Sequence, residues 1–477
     1  MSPHPSGAGA HPQLFSASHI AARFQTTFAS MITEPRESES SNVSKSFRFV
    51  DLFAGIGGFH AVLGAMGGEL AVAAEIDGKA RETYKRNWGV DPVPDVVELA
   101  AMGLEKIGPH AVLAGGFPCQ PFSKSGRQLG MTEHRGQMFD EIMKIARRYT
   151  PPVVFLENVR NITGPRQKAT WDHIVSELRD AGYRVSSTPM IVSPHKFAPT
   201  DGGAPQSRER VYIFGTYVGR VRALREAEVQ PAEIAARTWN PRDWRLTDYL
   251  DSGVDVSEAG IKFTSEEQSW LHVWNSFLRL MEGVRLPSFP MWSMYWNDDA
   301  EIDPAAPQWK QTIETQNIRF YRAHRSVIQE WMAANPCLES FPASRRKFEW
   351  QAQDSEHDIF KLLIHLRPSG IRVKPMNYAP ALVAMAQIPL LGQYGRRMTP
   401  GETSRLQSFP PDFYLDHQTA ATSYKQLGNA INVGVAYKAL RAHVLRDASD
   451  LETTEVGLEL LRCVQESPDL PYWMKGD

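Results

Sequence analysis

Short apolar runs alternate with amphipathic segments between residues 47 and 215. The runs are Phe49–Leu52, interrupted by Asp51, and Leu70–Ala74, Ala111–Ala114 and Val153–Leu156. Segments such as 136–149 and 170–182 have the spacing of helices with one apolar face. This alternation predicts an α/β fold in which a doubly wound, mostly parallel sheet carries helices on both faces.

The remaining segments have other patterns. Residues 1–46 are rich in Ser, Pro, Gly and His without apolar periodicity, which predicts a disordered leader and leaves Met31 as an alternative start. Residues 216–400 predict a second lobe. Residues 430–446, rich in alanine and aliphatic side chains, predict a helix that returns to the first lobe, and residues 447–477 are left as a C-terminal tail.

Composition narrows the class of protein. Of 477 residues, 42% are hydrophobic and 22% charged, as in ordinary soluble proteins, and the chain can bury a sizeable core in more than one domain. No stretch approaches the roughly 20 apolar residues that cross a bilayer. Cys119, Cys337 and Cys463 are widely separated, which fits a reducing cytoplasm and argues against structural zinc.

A single cysteine, Cys119, stands between two prolines in the segment Gly-Gly-Phe-Pro-Cys-Gln-Pro-Phe-Ser at 115–123. Proline fixes its own φ and disfavours helix at the preceding residue, so Pro118 and Pro121 predict a stiff, extended loop. Such a cysteine is either a small buried hydrophobe or, where a cation or a helix N-terminus lowers its pKa, a nucleophilic thiolate. Its glycine, proline and polar neighbours pack poorly in a core and favour the thiolate.

The first apolar run continues into the glycine-rich turn Phe53-Ala-Gly-Ile-Gly-Gly58. Gly55 and Gly57 permit tight backbone geometry and the close approach of a ligand. Glu75 ends the second apolar run, and an acid at this spacing can accept hydrogen bonds from ribose hydroxyls. An unrelated α/β turn would explain the glycines alone, but strand, turn, helix, strand and acid in succession predict a nucleoside cofactor.

Two further motifs place charged side chains at the sheet edge where the glycine turn and Cys119 are expected. The run that begins at Pro152 ends in the carboxylate of Glu157, which would emerge where open α/β sheets bind ligands. A helix cap or a solvent-facing acid is the alternative for this residue. The segment Gln-Ser-Arg-Glu-Arg at 206–210 puts Arg208 and Arg210 on one side of an extended chain, because strand side chains alternate.

These four motifs, in this order, resemble the cytosine-5 DNA methyltransferases that use S-adenosylmethionine. The resemblance continues through 367–374, 397–410 and 424–434, and covers about residues 47–215 and 365–445. It implies a Rossmann-like methyltransferase fold with a smaller target-recognition domain inserted. The implied domains are 47–215 for catalysis and cofactor binding, 216–400 for target recognition, and 401–446 as a return to the catalytic domain.

The resemblance also implies a mechanism. In this family a cysteine thiolate adds to C6 of a flipped-out cytosine, which makes C5 nucleophilic enough to take a methyl group. Cys119 is then the nucleophile, and Glu157 donates to N3 of the base. Arg208 and Arg210 orient the base and favour the thiolate, with one of them mainly a scaffold.

Cofactor contacts follow from the same resemblance, and no metal is expected. Ile76 stands where the family often has an aromatic ring against adenine. The implied contacts are Phe53, Gly55 and Gly57 near the methionine moiety, Glu75 on the ribose, Asp95 at the adenine amino group and Asn429 near the carboxylate.

Double-stranded DNA is the expected partner, contacted by a monomer in the bacterial cytoplasm and nucleoid, without membrane attachment. Although the net charge is −2, residues 310–400 contain 13 Lys/Arg against 7 Asp/Glu, so positive charge is concentrated there. Most tryptophans of the second lobe are expected in its core, and a few could contact bases instead. Candidate base readers are Arg319, Arg322, Arg325, Arg345 and Arg346.

The preferred function is site-specific DNA cytosine C5 methylation, as the modification component beside a separately acting restriction endonuclease. Three alternatives stay open. They are an RNA cytosine C5 methyltransferase, a catalytically silent DNA-binding regulator, and a nicotinamide-dependent dehydrogenase that shares only the glycine turn.

Overall fold

A seven-stranded sheet forms the centre of the first lobe. The computed structural model describes residues 46–101, 107–118, 138–257, 260–353, 355–382 and 388–474, so the predicted leader falls almost wholly outside it. All strands up to residue 217 except β7 belong to this central sheet. They are β1 (Phe47–Leu52), β2 (Gly68–Ala74), β3 (Val112–Gly115), β4 (Val153–Val159), β5 (Tyr183–Val185), β6 (Met190–Val192), β7 (Gln206–Ser207) and β8 (Arg210–Tyr217).

The strand order is β2-β1-β3-β4-β8-β5, with β6 also paired to β8. Strands β1 to β4 run parallel, whereas β8 is antiparallel to β4, β5 and β6. The chain moves from β1 to β2 on one side and then crosses to β3 on the other, so the winding reverses between β1 and β3. Open α/β sheets bind ligands outside the carboxyl ends of strands at such a reversal. The predicted doubly wound, mostly parallel sheet is confirmed.

Helices cover both faces because the strands bury side chains on both. Strand β1 sends Phe47 and Phe49 into one core and Val50 and Leu52 into the other, following the two-residue alternation of a strand. The helices Met138–Tyr149 and Lys168–Asp180 begin and end within two residues of the predicted segments 136–149 and 170–182. The helices of this region are α1 (Gly58–Gly64), α2 (Gly78–Trp88), α3 (Val96–Ala101), α4 (Met138–Tyr149), α5 (Lys168–Asp180) and α6 (Arg220–Arg225).

A second, six-stranded sheet lies within residues 291–397, inside the segment 216–400 expected to recognise the target. Its order is β15-β14-β11-β12-β10-β9, and only the β10–β12 pair is parallel. Its strands are β9 (Met291–Trp292), β10 (Lys347–Trp350), β11 (Leu363–Arg367), β12 (Gly370–Lys374), β14 (Leu390–Leu391) and β15 (Arg396–Arg397), while β13 (Ala379–Pro380) pairs elsewhere. The accompanying helices are α7 (Ser265–Leu280), α8 (Gln308–Ala323) and α9 (Arg325–Ala334).

Tryptophans form much of the second-lobe core, as the sequence predicts for most of them. Trp274 on α7 stacks on Phe348 of β10 with ring centroids 4.9 Å apart. Trp296, Trp331 and Trp350 are also almost completely buried. Trp309 is the exception, with 62% of its surface exposed.

A separate two-stranded sheet and the returning chain connect the two lobes. Strand β13 pairs in parallel with β7, directly before Arg208. A helix at Val433–Arg446 lies within the segment 430–446 that is predicted to be helical. A further helix, Glu455–Glu466, lies in the segment taken as a tail and adds Leu460, Leu461 and Val464 to the core beside β1. The last helices are α10 (Pro400–Leu406), α11 (Ala420–Asn429), α12 (Val433–Arg446), α13 (Ala448–Leu451) and α14 (Glu455–Glu466). In the ranges that the structure describes, no helix has the length and apolar character to cross a bilayer.

Candidate active site

The turn after β1 reverses the chain into α1 through left-handed backbone positions. Phe53 has φ 56°, Gly55 has φ 56° and Gly57 has φ 91°, a region that favours glycine. A Cβ on Gly57 would lie 2.0 Å from the indole nitrogen of Trp88, so no other residue fits there. The indole of Trp88 therefore fills the space that a side chain on residue 57 would need.

Trp88, the last residue of α2, packs against this turn. Its indole N–H donates to the carbonyl oxygen of Ile56 at 2.9 Å. The His60 ring stacks on the indole at 4.5 Å, and its Nδ1 lies 2.7 Å from the hydroxyl of the fully buried Tyr84. Three side chains thus fix the position of one carbonyl in the glycine turn.

Glu75 ties the ends of β1 and β2 together. One carboxylate oxygen accepts from the Gly55 N–H at 2.8 Å and the other from the Asp77 N–H at 2.7 Å. Burial raises the pKa of Glu75, and these two N–H donors oppose the rise. Each oxygen keeps a second lone pair, so the carboxylate can still accept a hydrogen bond from a ligand.

The other two predicted cofactor residues flank this edge from different elements. Asp95 follows a bridge between Val93 and Ala74 at the end of β2, and its carboxylate caps α3 by accepting from the Val97 N–H at 2.9 Å. Asn429 is the last residue of α11 and is exposed. The exposed Ile76, with 76% of its surface accessible, also lies at this edge, directly after Glu75.

Glu157 lies near the carboxyl end of β4, buried and paired with Arg210. Its Oε1 is 2.9 Å from the Nε of Arg210, and both side chains are less than one-fifth exposed. Burial raises the pKa of Glu157, whereas the charges of Arg210 and Arg208 lower it. A carboxyl group with a raised pKa keeps its proton to higher pH than an exposed glutamate and can donate it.

The loop that leads to Cys119 begins beside Glu157. A Cβ on Gly116 would lie 3.4 Å from Oε2 of Glu157, and the Phe117 carbonyl accepts from the Asn158 side-chain amide at 3.2 Å. Cys119 itself lies outside the described residues, which reach Pro118 before the gap. The carboxylate and the start of the cysteine loop thus share the edge after β3 and β4.

Arg208 and Arg210 have different partners. Arg208, only 2% exposed, donates to the carbonyls of Leu382 at 2.9 Å, Gly428 at 3.0 Å and Ala430 at 2.6 Å. These hydrogen bonds join the segment 206–210 to Leu382, which follows β13, and to the end of α11. Arg210 forms an ion pair with Glu157, whereas the hydrogen bonds of Arg208 hold three backbone carbonyls, which fits the expectation that one arginine is mainly a scaffold.

Two residues of this site were missed by the sequence interpretation. Tyr212, opposite Glu157 on β8, is buried, and its hydroxyl has no hydrogen-bond partner in the part of the chain that is described. Asn158 anchors the cysteine loop as above. Only its place directly after Glu157 could have drawn attention to it.

Substituting lysine for Arg208 is expected to lower the free energy of unfolding by about 2–5 kcal/mol. One ammonium group cannot reach three carbonyls, and each buried carbonyl left unpaired costs about 1–3 kcal/mol. Urea unfolding followed by tryptophan fluorescence measures the decrease. Arg160→Lys is the control, because Arg160 is 59% exposed in a surface pair with Glu209 and should change stability by less than about 1 kcal/mol. Equal stability of both variants would contradict the scaffold role.

Comparison with known proteins decides the family. The family model described as C-5 cytosine-specific DNA methylase matches residues 47–444. The chain belongs to this family. The predicted family and the predicted class of enzyme, a DNA cytosine C5 methyltransferase, are therefore confirmed, and a nicotinamide-dependent dehydrogenase is excluded.

Several curated members of the family are similar over different shares of their length. Type II methyltransferase M.AluI of Cellulosimicrobium cellulans is 37% identical over 516 residues, covering 90% of this chain and 98% of that protein. Type II methyltransferase M.BanI of Aneurinibacillus aneurinilyticus is 28% identical, over 82% of this chain and 94% of that protein. Type II methyltransferase M.HpaII of Haemophilus parainfluenzae is 40% identical, but over only 38% of this chain and 49% of that protein.

Proposed function

We propose that this methyltransferase modifies cytosine at a specific site of duplex DNA, through covalent catalysis by Cys119, as the protective component beside a separate restriction endonuclease. The observation that carries the proposal is the buried Glu157–Arg210 pair at the edge where the cysteine loop begins. The named relatives, all Type II methyltransferases, favour the restriction-modification role. We expect it to act as a monomer in the bacterial cytoplasm.

The residues at the β1/β3 reversal fit S-adenosylmethionine, which supplies an electrophilic methyl group on a sulfonium when bound. The glycine turn leaves open space beside Gly55, where nothing lies within 4 Å of an added Cβ, so a ligand can approach the backbone there, whereas Gly57 is packed against Trp88. Glu75 would accept from ribose hydroxyls, and Phe53 would contact the methionine moiety. Asp95 and Asn429 would hold the adenine amino group and the carboxylate end. Among the described residues, no cluster of His, Cys, Asp or Glu suggests a metal.

Cys119 acts first by adding its thiolate to C6 of the flipped-out cytosine. A pair of electrons moves towards N3, and Glu157 donates a proton there, so no full negative charge accumulates on the ring. C5 then carries enough electron density to take the methyl group. A base removes the C5 proton, the Cys119 thiolate leaves C6, and N3 returns its proton to Glu157, which restores the aromatic ring and the acid; we assign no side chain as the base that takes the C5 proton.

Arg210 holds Glu157 in place for this proton transfer. Because its Nε contacts Oε1, the other carboxyl oxygen, which faces Gly116, is the one positioned to donate to the base. Tyr212, the register partner of Glu157 on β8, adds no competing charge, because burial holds the pKa of its hydroxyl well above the usual value. The Glu157 carboxyl group, and not the Tyr212 phenol, is therefore the acid that we propose.

Bisulfite sequencing of DNA from cells that express the chain tests the function, since it reports the product and its site together. Methylcytosine at one short recurring sequence is expected. Methyl transfer to tRNA in place of duplex DNA would reject the proposal. A duplex with 5-fluorocytosine at the modified position should trap a covalent adduct, because fluorine does not leave as a proton does.

Trp88→Phe is expected to raise the KM for S-adenosylmethionine about 2- to 12-fold, with a smaller change in kcat. Phenylalanine keeps a ring against Gly57 but cannot make the hydrogen bond to Ile56, worth about 0.5–1.5 kcal/mol. Steady-state kinetics at saturating DNA measures both constants. Trp309→Phe is the control on an exposed tryptophan. An unchanged KM for Trp88→Phe would show that this side chain does not position the cofactor turn.

A further inference from the structure

The polar face of the second sheet carries an excess of positive charge. Register places Glu349, Arg372 and His365 in one row across β10, β12 and β11. A neighbouring row contains Lys347 and Arg367 on either side of Gly370, and Lys374 follows Arg372 by two residues along β12. On these three strands, this face of the sheet therefore carries four Lys or Arg side chains and one carboxylate, that of Glu349. The opposite face is the apolar core formed by Phe348, Trp350, Ile364, Ile371 and Val373.

Glu349 holds the two arginines of this face. Its carboxylate lies 2.9 Å from the Arg372 guanidinium and pairs also with Arg367. The glutamate side chain is 11% exposed, whereas Arg367 is 19% and Arg372 31% exposed, so the acid lies beneath and the cations lie nearer to solvent. This order positions the guanidiniums and leaves them accessible to a ligand.

Among the described residues of these three strands, one carboxylate faces the four cations. Burial lowers the pKa of Arg367 even with Glu349 beside it, and the charge of Arg372 lowers it further. Burial and Arg372 likewise lower the pKa of Lys374 to about 7. Partly desolvated cations with few anions beside them raise the free energy of the unbound protein. A bound anion would remove this cost.

The Lys374 end of this face lies near the first lobe. The Lys374 ammonium lies 3.1 Å from the centroid of the Tyr378 ring, and that ring lies 5.0 Å from the ring of His195 in the first lobe. The next residue, Lys196, lies 3.5 Å from the carboxylate of Glu209, which directly precedes Arg210. A chain of contacts thus runs from Lys374 through the rings of Tyr378 and His195 to the segment that contains Lys196, which pairs with Glu209 directly before Arg210.

From these observations we infer that Lys347, Arg367, Arg372 and Lys374 bind the phosphodiester backbone of the substrate duplex, and that Glu349 is the positioning residue for the two arginines. Guanidinium groups match phosphate oxygens with two parallel hydrogen bonds, and a backbone ligand supplies repeated negative charge along a line. The inference rests on the proposed function. It assigns to this face the part of affinity that does not depend on base sequence.

The test is the salt dependence of DNA binding by the full chain carrying Arg367→Gln and Arg372→Gln together. The Kd is measured on a duplex with the modified site and on an unrelated duplex, at several NaCl concentrations. Both Kd values should rise by a similar factor, and the slope of log K against log salt should fall by about 2 in magnitude, close to 0.9 for each phosphate that the variant no longer neutralises. The control pair Arg225→Gln and Arg462→Gln removes the same charge from exposed positions on α6 and α14 and should leave the slope unchanged.

Two results would overturn the inference. Weaker binding of the site duplex alone, with an unchanged slope, would mean that these arginines read bases. Unchanged binding of both duplexes would remove the face from the interface. Should the double variant fail to fold, Lys374→Gln alone serves the same purpose, with an expected slope change of about 1.

Glu349→Gln separates positioning from simple charge neutralisation. If Glu349 positions the two arginines, its replacement should weaken binding to both duplexes. The salt slope should stay the same, because the number of cations is unchanged. Tighter binding would show that Glu349 only neutralises the arginines. Wild-type chain that methylates no duplex would reject the proposed function itself, whereas an active wild type with an unaltered slope in the arginine variants would reject only this inference.

Discussion

Cys119→Ser is expected to reduce methyl transfer to background while S-adenosylmethionine binding stays nearly unchanged. A serine hydroxyl is far less ionised near neutral pH than a cysteine thiol, so the addition to C6 fails. Transfer of radiolabelled methyl to duplex DNA measures the activity, and equilibrium dialysis measures cofactor affinity. The same variant should form no adduct with 5-fluorocytosine DNA.

Cys463→Ser is the matched control, because Cys463 is a buried cysteine of α14 in the core and takes no part in the site. Its activity per folded molecule should equal that of the wild type. Substantial methylation by Cys119→Ser would remove the nucleophile from the scheme. Inactivity of both variants would point to a general effect of removing a thiol.

Glu157→Gln should lower kcat by about 10²- to 10⁴-fold, the usual contribution of a positioned acid. Glutamine retains the shape and a contact to Arg210 but has no proton to give to N3. In the wild type, kcat should fall as pH rises through the pKa of Glu157, which burial raises above the ordinary value for glutamate. That fall should be absent in the variant, and single-turnover rates between about pH 5 and 9 would show both effects.

Glu209→Gln controls for charge, since this neighbouring glutamate forms surface pairs with Arg160 and Lys196. Its kcat should remain close to that of the wild type. A pH profile of Glu157→Gln identical to that of the wild type would assign the titration to another group, and a kcat within a few-fold of wild type would end the acid role of Glu157.

The first lobe could be predicted from sequence because its signals are local. Strands β2, β3 and β4 each contain a continuous apolar run, β1 is interrupted only by Arg48 and Asp51, and the glycine turn, Glu75 and Glu157 lie at or near strand ends. A family resemblance then supplied the roles. The side chain of Arg208 could not be placed in this way, because its acceptors lie 174 to 222 residues further along the chain.

The second lobe could not be predicted in detail for a different reason. Its strands are 2 to 5 residues long, too short to show a period of two. The row formed by Glu349, Arg372 and His365 depends on a register that only the folded sheet reveals. Of the predicted base readers, Arg345 lies over Trp270, with its guanidinium carbon 5.0 Å from the ring centroid, and donates to the carbonyl of Arg367, so it also supports the basic face.

The core shared by β1 and α14 constrains how the chain can fold during translation. Phe47 and Phe49 leave the ribosome early, yet their partners Leu460, Leu461 and Val464 are made near the end of synthesis. Until then one side of the nascent sheet stays uncovered, and such exposed apolar surface invites aggregation or chaperone binding. Fragments that stop before residue 455 should therefore accumulate as insoluble protein, and a newly made chain should become able to methylate only after synthesis has passed that helix.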